Sequence, residues 1–169
     1  MWSPDMLPTR RRAVLAALAG TGGLTGCGFH LRQPPQMVFQ SIALTGFAPR
    51  SPMAEALSRG LAQSVRLLDS PARAEVVLQA LVDSRDRNVV ATTAAAQVRE
   101  LQLRVRLNFR AHTPSGRELL PVSELVLTRD LTYAESVALA KEYEEADLFR
   151  DMQADIVAQV LRRLAAIKL

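Results

Sequence analysis

The chain has 169 residues, 49% of them hydrophobic and 22% charged, which is room for one globular domain and excludes a disordered tail. Its formal charge of +4 comes from 21 basic and 17 acidic residues. Removal of residues 1–26, as the signal below predicts, would take Arg10, Arg11, Arg12 and Asp5 and leave only +2. That excess does not indicate a nucleic-acid binder. All basic residues except Lys141 and Lys168 are Arg, a bias that fits either planar anion recognition or genomic base composition. The single cysteine, Cys27, rules out an internal disulfide and a multi-cysteine metal site.

The first elements form an export signal. Arg10-Arg11-Arg12 precede an apolar run from Ala13 to Ala19 and the small residues Gly20 to Gly23. The run is far short of the roughly 20 residues that span a bilayer as a helix. It leads into Leu24-Thr25-Gly26-Cys27, which matches a lipobox. Diacylglycerol transfer needs a thiol on an unhindered backbone, and the peptidase needs small residues just before the cut. We therefore expect residues 1–26 to be a lipoprotein signal peptide. Cys27 would then carry acyl chains such as palmitate, with residues 27–35 a tether and 36–169 the folded domain. At about 0.8 kcal/mol per buried methylene, two or three chains anchor the protein in the membrane for good. Gly28 stands where an Asp would signal retention in the inner membrane, so the outer membrane is the expected destination.

Gln36 to Thr45 reads as a strand closed by Gly46. Ser51-Pro52 is a helix start, and Met53, Leu57, Leu61, Val65 and Leu68 form a stripe that predicts a helix up to Asp69-Ser70-Pro71. Val76 to Val82 is a second strand, and Asp83 to Asn88 a bend or an exposed continuation of it. From Leu101 to Phe109 every odd residue is apolar, while Gln102, Arg104, Arg106, Asn108 and Arg110 alternate with them. This predicts a one-sided antiparallel strand. Thr113-Pro114-Ser115-Gly116 is turn chemistry, and Leu119 to Leu131 returns as the partner strand. A long helix over Val137 to Ile167 carries Leu148, Met152, Ile156, Val160 and Leu164 on one stripe. The order β-α-β-β-β-α predicts an α+β two-layer sandwich, a roughly four-stranded mixed sheet packed against two helices.

No pattern in the chain points to catalysis or to a cofactor. His30 and His112 lie at no metal-ligand spacing from other candidate ligands, and neither a nucleophile elbow nor a Gly-rich phosphate loop occurs. We expect no enzyme, no cofactor and no metal. Arg104, Arg106 and Arg110 form a basic strip that reads either as a solvated sheet face or as an anion site, since guanidinium matches phosphate bidentately.

Several segments carry a family resemblance. Cys27-Gly28-Phe29-His30-Leu31-Arg32 after the lipobox resembles the mature start of the lipopolysaccharide-assembly lipoprotein family LptE. Gly116-Arg117-Glu118-Leu119-Leu120-Pro121-Val122-Ser123 resembles that family's turn into its last strand. Leu139-Ala140-Lys141-Glu142 and Gln159-Val160-Leu161-Arg162-Arg163-Leu164 resemble the two ends of its long helix. The resemblance implies an outer-membrane subunit of the lipopolysaccharide translocon that plugs the β-barrel protein LptD and supports its assembly. It also implies binding of lipopolysaccharide during delivery to the cell surface, with the domain on the periplasmic side or inside the barrel lumen. A basic residue of the family's A-L-A-K stretch, implicated in ligand binding, maps onto Lys141, with Arg104 and Arg106 as further candidates. Ala94-Ala95-Ala96 stand where a further basic residue is expected. A lipoprotein subunit of a phospholipid transport system is the alternative that the anchor and a small α+β domain also fit.

Overall fold

The computed structural model describes residues 36–168; the signal, Cys27 and the tether lie outside the described residues. Five strands form one mixed sheet: β1 (Ser41–Thr45), β2 (Arg66–Leu67), β3 (Val76–Thr92), β4 (Val98–His112) and β5 (Glu118–Thr132), in the spatial order β2-β1-β3-β4-β5. The helices are α1 (Pro52–Leu61) and α2 (Ala138–Ala165). The α+β sandwich is therefore as expected, with one strand more than the sequence reading gave.

The extra strand comes from the end of the first stripe. The helix stops at Leu61 rather than at Asp69, and Val65 stays buried although it is no longer helical. The backbone straightens so that the amides of Arg66 and Leu68 donate to the carbonyls of Gln40 and Ile42, making β2 a parallel neighbour of β1. Apolar spacing alone did not distinguish a longer helix from a strand tucked beside it. The first strand is also shorter than Gln36 to Thr45, beginning at Ser41.

Helix α1 starts where its cap residue predicts. Ser51 Oγ accepts from the Ala54 amide at 3.1 Å, satisfying an N-terminal donor, and donates to Asp83 Oδ2 at 2.5 Å. A pole of the helix is thus tied to β3 through one hydroxyl. Gly46 ends β1 with φ of +79°, and a Cβ there would lie 2.1 Å from the Ala80 carbonyl oxygen. Only glycine fits both the backbone angle and that approach.

β4 is central and its alternation is complete. Leu101, Leu103, Leu107 and Phe109 are at most 1% exposed and Val105 is 4% exposed, whereas Gln102, Arg104, Arg106 and Asn108 are half-buried on the other face. The odd residues join Met53, Leu57 and Leu61 of α1 and Phe149, Met152, Ile156, Val160 and Leu164 of α2 in one core cluster. Both helices therefore cover the same side of the sheet. β1 pairs with β3 only as far as Gln79, so Asp83 to Thr92 is the exposed continuation, an outer edge joined on one side to β4. With 28 residues, α2 is about 40 Å long at 1.5 Å per residue and reaches along this extended part of the sheet.

Candidate functional site

On the helix-facing side of the sheet, the β3 continuation sets Arg85 opposite Val105 and Arg87 opposite Leu103. Strand alternation directs both side chains toward the first half of α2. The Arg85 guanidinium lies 3.7 Å from the Phe149 ring centroid. Burial against the helix pushes its pKa below the ordinary arginine value, and the Glu145 carboxylate pulls it partly back. Arg87 Nε is 3.4 Å from Glu145 Oε2, and its guanidinium is 5.8 Å from the Tyr133 ring. One turn earlier on α2, Lys141 Nζ is 2.7 Å from Glu144 Oε2, with its side chain 21% exposed.

Lys141 and Glu145 are four apart on α2 and share a helix face. The side chains of Arg85, Arg87 and Lys141 therefore line one seam between the β3 edge and the helix. Val89 on β3 and Val137 just ahead of α2 are exposed apolar residues near this end of the sheet, whereas the exposed Leu139 and Tyr143 lie on the side of α2 away from Lys141. Cations next to unburied apolar groups can receive a molecule that is anionic at one end and apolar at the other. The Lys141–Glu144 pair is only partly exposed, and a ligand phosphate would have to replace the Glu144 carboxylate as the partner of the ammonium.

Arg104 and Arg106 are elsewhere. They lie on the open face of β4, with Asp86 and Ser84 opposite on β3 and Thr128 and Val126 opposite on β5. Arg106 Nε is 3.7 Å from Glu124 Oε1, too long for a hydrogen bond, and Arg104 reaches Gln102 Oε1 at 3.5 Å. The Nε atoms of both arginines and Oδ1 of Asn108 are buried without a hydrogen-bond partner among the described residues. An orphaned buried donor costs about 1–3 kcal/mol. The sheet thus separates Lys141 from Arg104 and Arg106, and one phosphate cannot touch all three.

Sequence reasoning offered Lys141 as a candidate and passed over Arg85 and Arg87, which lie in the segment read as a bend or an exposed continuation of the strand. The available signal was their two-residue spacing, which matches the pleat of a continued strand. Among the described residues no group of His, Cys, Asp and Glu is arranged to hold a metal ion, and no helix is long and apolar enough to cross a membrane.

Fold and site together define a small α+β domain with one helix-covered sheet face, one open polar face, and a cationic-aromatic seam along the long helix. A family model described as LptE, lipopolysaccharide-assembly, matches residues 39–164. The chain belongs to the LptE family and acts in lipopolysaccharide assembly. Its structure is similar to the solution structure of an uncharacterized lipoprotein B from Nitrosomonas europaea, with 29% identity and a TM-score of 0.69 over 82% of this chain and 91% of that one. A minor lipoprotein from Acinetobacter baumannii shares the fold at 21% identity and a TM-score of 0.62, over 77% of this chain and 93% of that one. So does the rare lipoprotein B from Shewanella oneidensis, at 21% identity and 0.61, over 75% and 95%.

Proposed function

We propose that this protein is the lipid-anchored outer-membrane subunit of the lipopolysaccharide translocon. In this reading Cys27, freed by cleavage after Gly26, carries the acyl chains, and residues 27–35 tether the domain of residues 36–169. The domain plugs the LptD barrel, supports its assembly and contacts lipopolysaccharide on its way to the surface, without catalysing a reaction. Membership of the family over residues 39–164 carries the reading, because it spans nearly all of the described domain.

Lys141 is the residue we assign to the ligand, with Arg87 and Arg85 completing the seam. A phosphate entering there would exchange the Lys141–Glu144 pair for charge-assisted hydrogen bonds. Arg104 and Arg106 serve as lipopolysaccharide contacts only if a second site exists on the open face. The test compares lipopolysaccharide binding of the wild type and Lys141→Asp, with the melting temperature of both. Lost binding at unchanged stability and unchanged barrel association assigns Lys141 to the ligand. Unchanged binding by a folded variant moves the site elsewhere.

A further inference from the structure

We infer that the end of the domain where the chain enters at Gln36 docks on the anionic phospholipid headgroups of the leaflet that holds the anchor; the inference rests on the reading that Cys27 is acylated. Gln36 stands nine positions after Cys27, so the tether reaches at most about 30 Å. The sheet gathers further segments at this end. The Arg66 amide donates to the Gln40 carbonyl just ahead of β1. The turn of residues 113–117 lies there too, because Ile42 pairs with Val76 and Val77 with His112. Helix α2 runs beside α1 in the same direction: Gln153 Nε2 donates to the Pro52 carbonyl, and a Cβ on Gly60 would lie 3.1 Å from Leu161 Cδ1. Since α1 leads straight into Val65 and Arg66, the last turns of both helices point to the entry end.

Charge is divided unevenly along the domain. The entry end carries Arg66, Arg117, Arg162, Arg163 and Lys168 against Glu75 and Glu118, while Arg73 offsets Asp69 on the loop between β2 and β3. Four of these five cations are exposed, Arg163 being half-buried, and none lies within ion-pair distance of a carboxylate among the described residues. Farther along the domain the cations are taken up: Arg87 by Glu145, Lys141 by Glu144 and Arg150 by Asp147. Glu135 and Glu142 add negative charge there, so an anionic surface repels that half and attracts the other. Arg66, Arg117 and Arg162 come from a strand, a turn and a helix end, a spread that suits a flat layer of phosphates better than one small anion. Each basic residue near such a layer strengthens binding about fivefold. The tether makes the encounter intramolecular, so a modest attraction is enough to orient the domain.

The experiment uses the full-length lipidated protein reconstituted into vesicles of phosphatidylcholine, alone or mixed with phosphatidylglycerol. Cys27 is the single cysteine and its thiol is blocked by the acyl group, so Ser115→Cys on the β4–β5 turn or Ala95→Cys on the β3–β4 turn takes one dye. A quencher on the lipid headgroups should strongly dim the dye at position 115 in the anionic vesicles and hardly affect it at position 95. High salt or zwitterionic vesicles should abolish the difference. Arg66→Gln, Arg117→Gln and Arg162→Gln together should lower the ratio of docked to free domain about hundredfold with the melting temperature unchanged. Undiminished quenching in the folded triple variant or in zwitterionic vesicles overturns the inference, as does stronger quenching at position 95. Capture of free lipopolysaccharide that the triple variant loses, with position 115 unquenched on anionic vesicles, overturns it in favour of a cargo site. Failure of the unsubstituted protein to float with vesicles in high salt defeats the anchor reading, and the inference with it.

Discussion

The guanidinium of Arg85 lies over the Phe149 ring, its central carbon 3.7 Å from the ring centroid, joining the free edge of β3 to the long helix. The ring itself is 3% exposed and belongs to the core, so the contact ties a surface cation to the packed interior. Arg85→Ala should cost about 0.5–1 kcal/mol, the range of an exposed cation–π pair. Phe149→Ala should cost about 3–5 kcal/mol by emptying a core position. A double-mutant cycle by chemical denaturation checks the coupling. Strict additivity would mean that the contact contributes nothing.

Asymmetry between the two faces of β4 gives a second expectation. Leu107 is fully buried, and Leu107→Ala should destabilise the protein by about 2–5 kcal/mol. Arg104→Ala removes a side chain whose buried Nε has no partner, a penalty of about 1–3 kcal/mol, so it should leave the free protein as stable as the wild type or more so. Thermal denaturation of the two variants should therefore separate widely. Similar melting temperatures would contradict the assignment of faces.

Gly46 offers a sharper backbone test. Gly46→Ala introduces a Cβ against the Ala80 carbonyl and a positive φ that alanine resists, so we expect a loss of about 1–3 kcal/mol or more. Gly116 also has positive φ, +92°, but open space around it. Gly116→Ala should cost less than Gly46→Ala in the same denaturant titration.

Much of this architecture is legible residue by residue. The strict alternation from Leu101 to Phe109 identified a one-sided strand because one face is packed under helices and the other is not. Ser51-Pro52 marked a helix start because capping is a local event. The end of α1 was not legible: Val65 and Leu68 keep the helical spacing, but the bonds to Gln40 and Ile42 that straighten the chain involve residues more than twenty positions away. The seam was hidden for the same reason, since Arg87 and Glu145 meet only when α2 folds back over the sheet. The distribution of Lys141, Arg104 and Arg106 over two faces is likewise a property of the sheet and not of any local pattern.

The proposed anchor has its own signature. Mass spectrometry of the protein from its native membrane should find an N-terminal Cys27 bearing acyl chains. A major species with an unmodified peptide running across residues 20–35 would contradict it. Cys27→Ala should leave the precursor uncleaved or mislocalised.

The central claim, that this domain works as the partner of a translocon barrel, is tested most directly by affinity purification of the full-length protein from its own membranes, with identification of what stays bound. The account predicts a large outer-membrane β-barrel recovered in stoichiometric amount. An inner-membrane transporter complex recovered in its place, with no barrel, would contradict it.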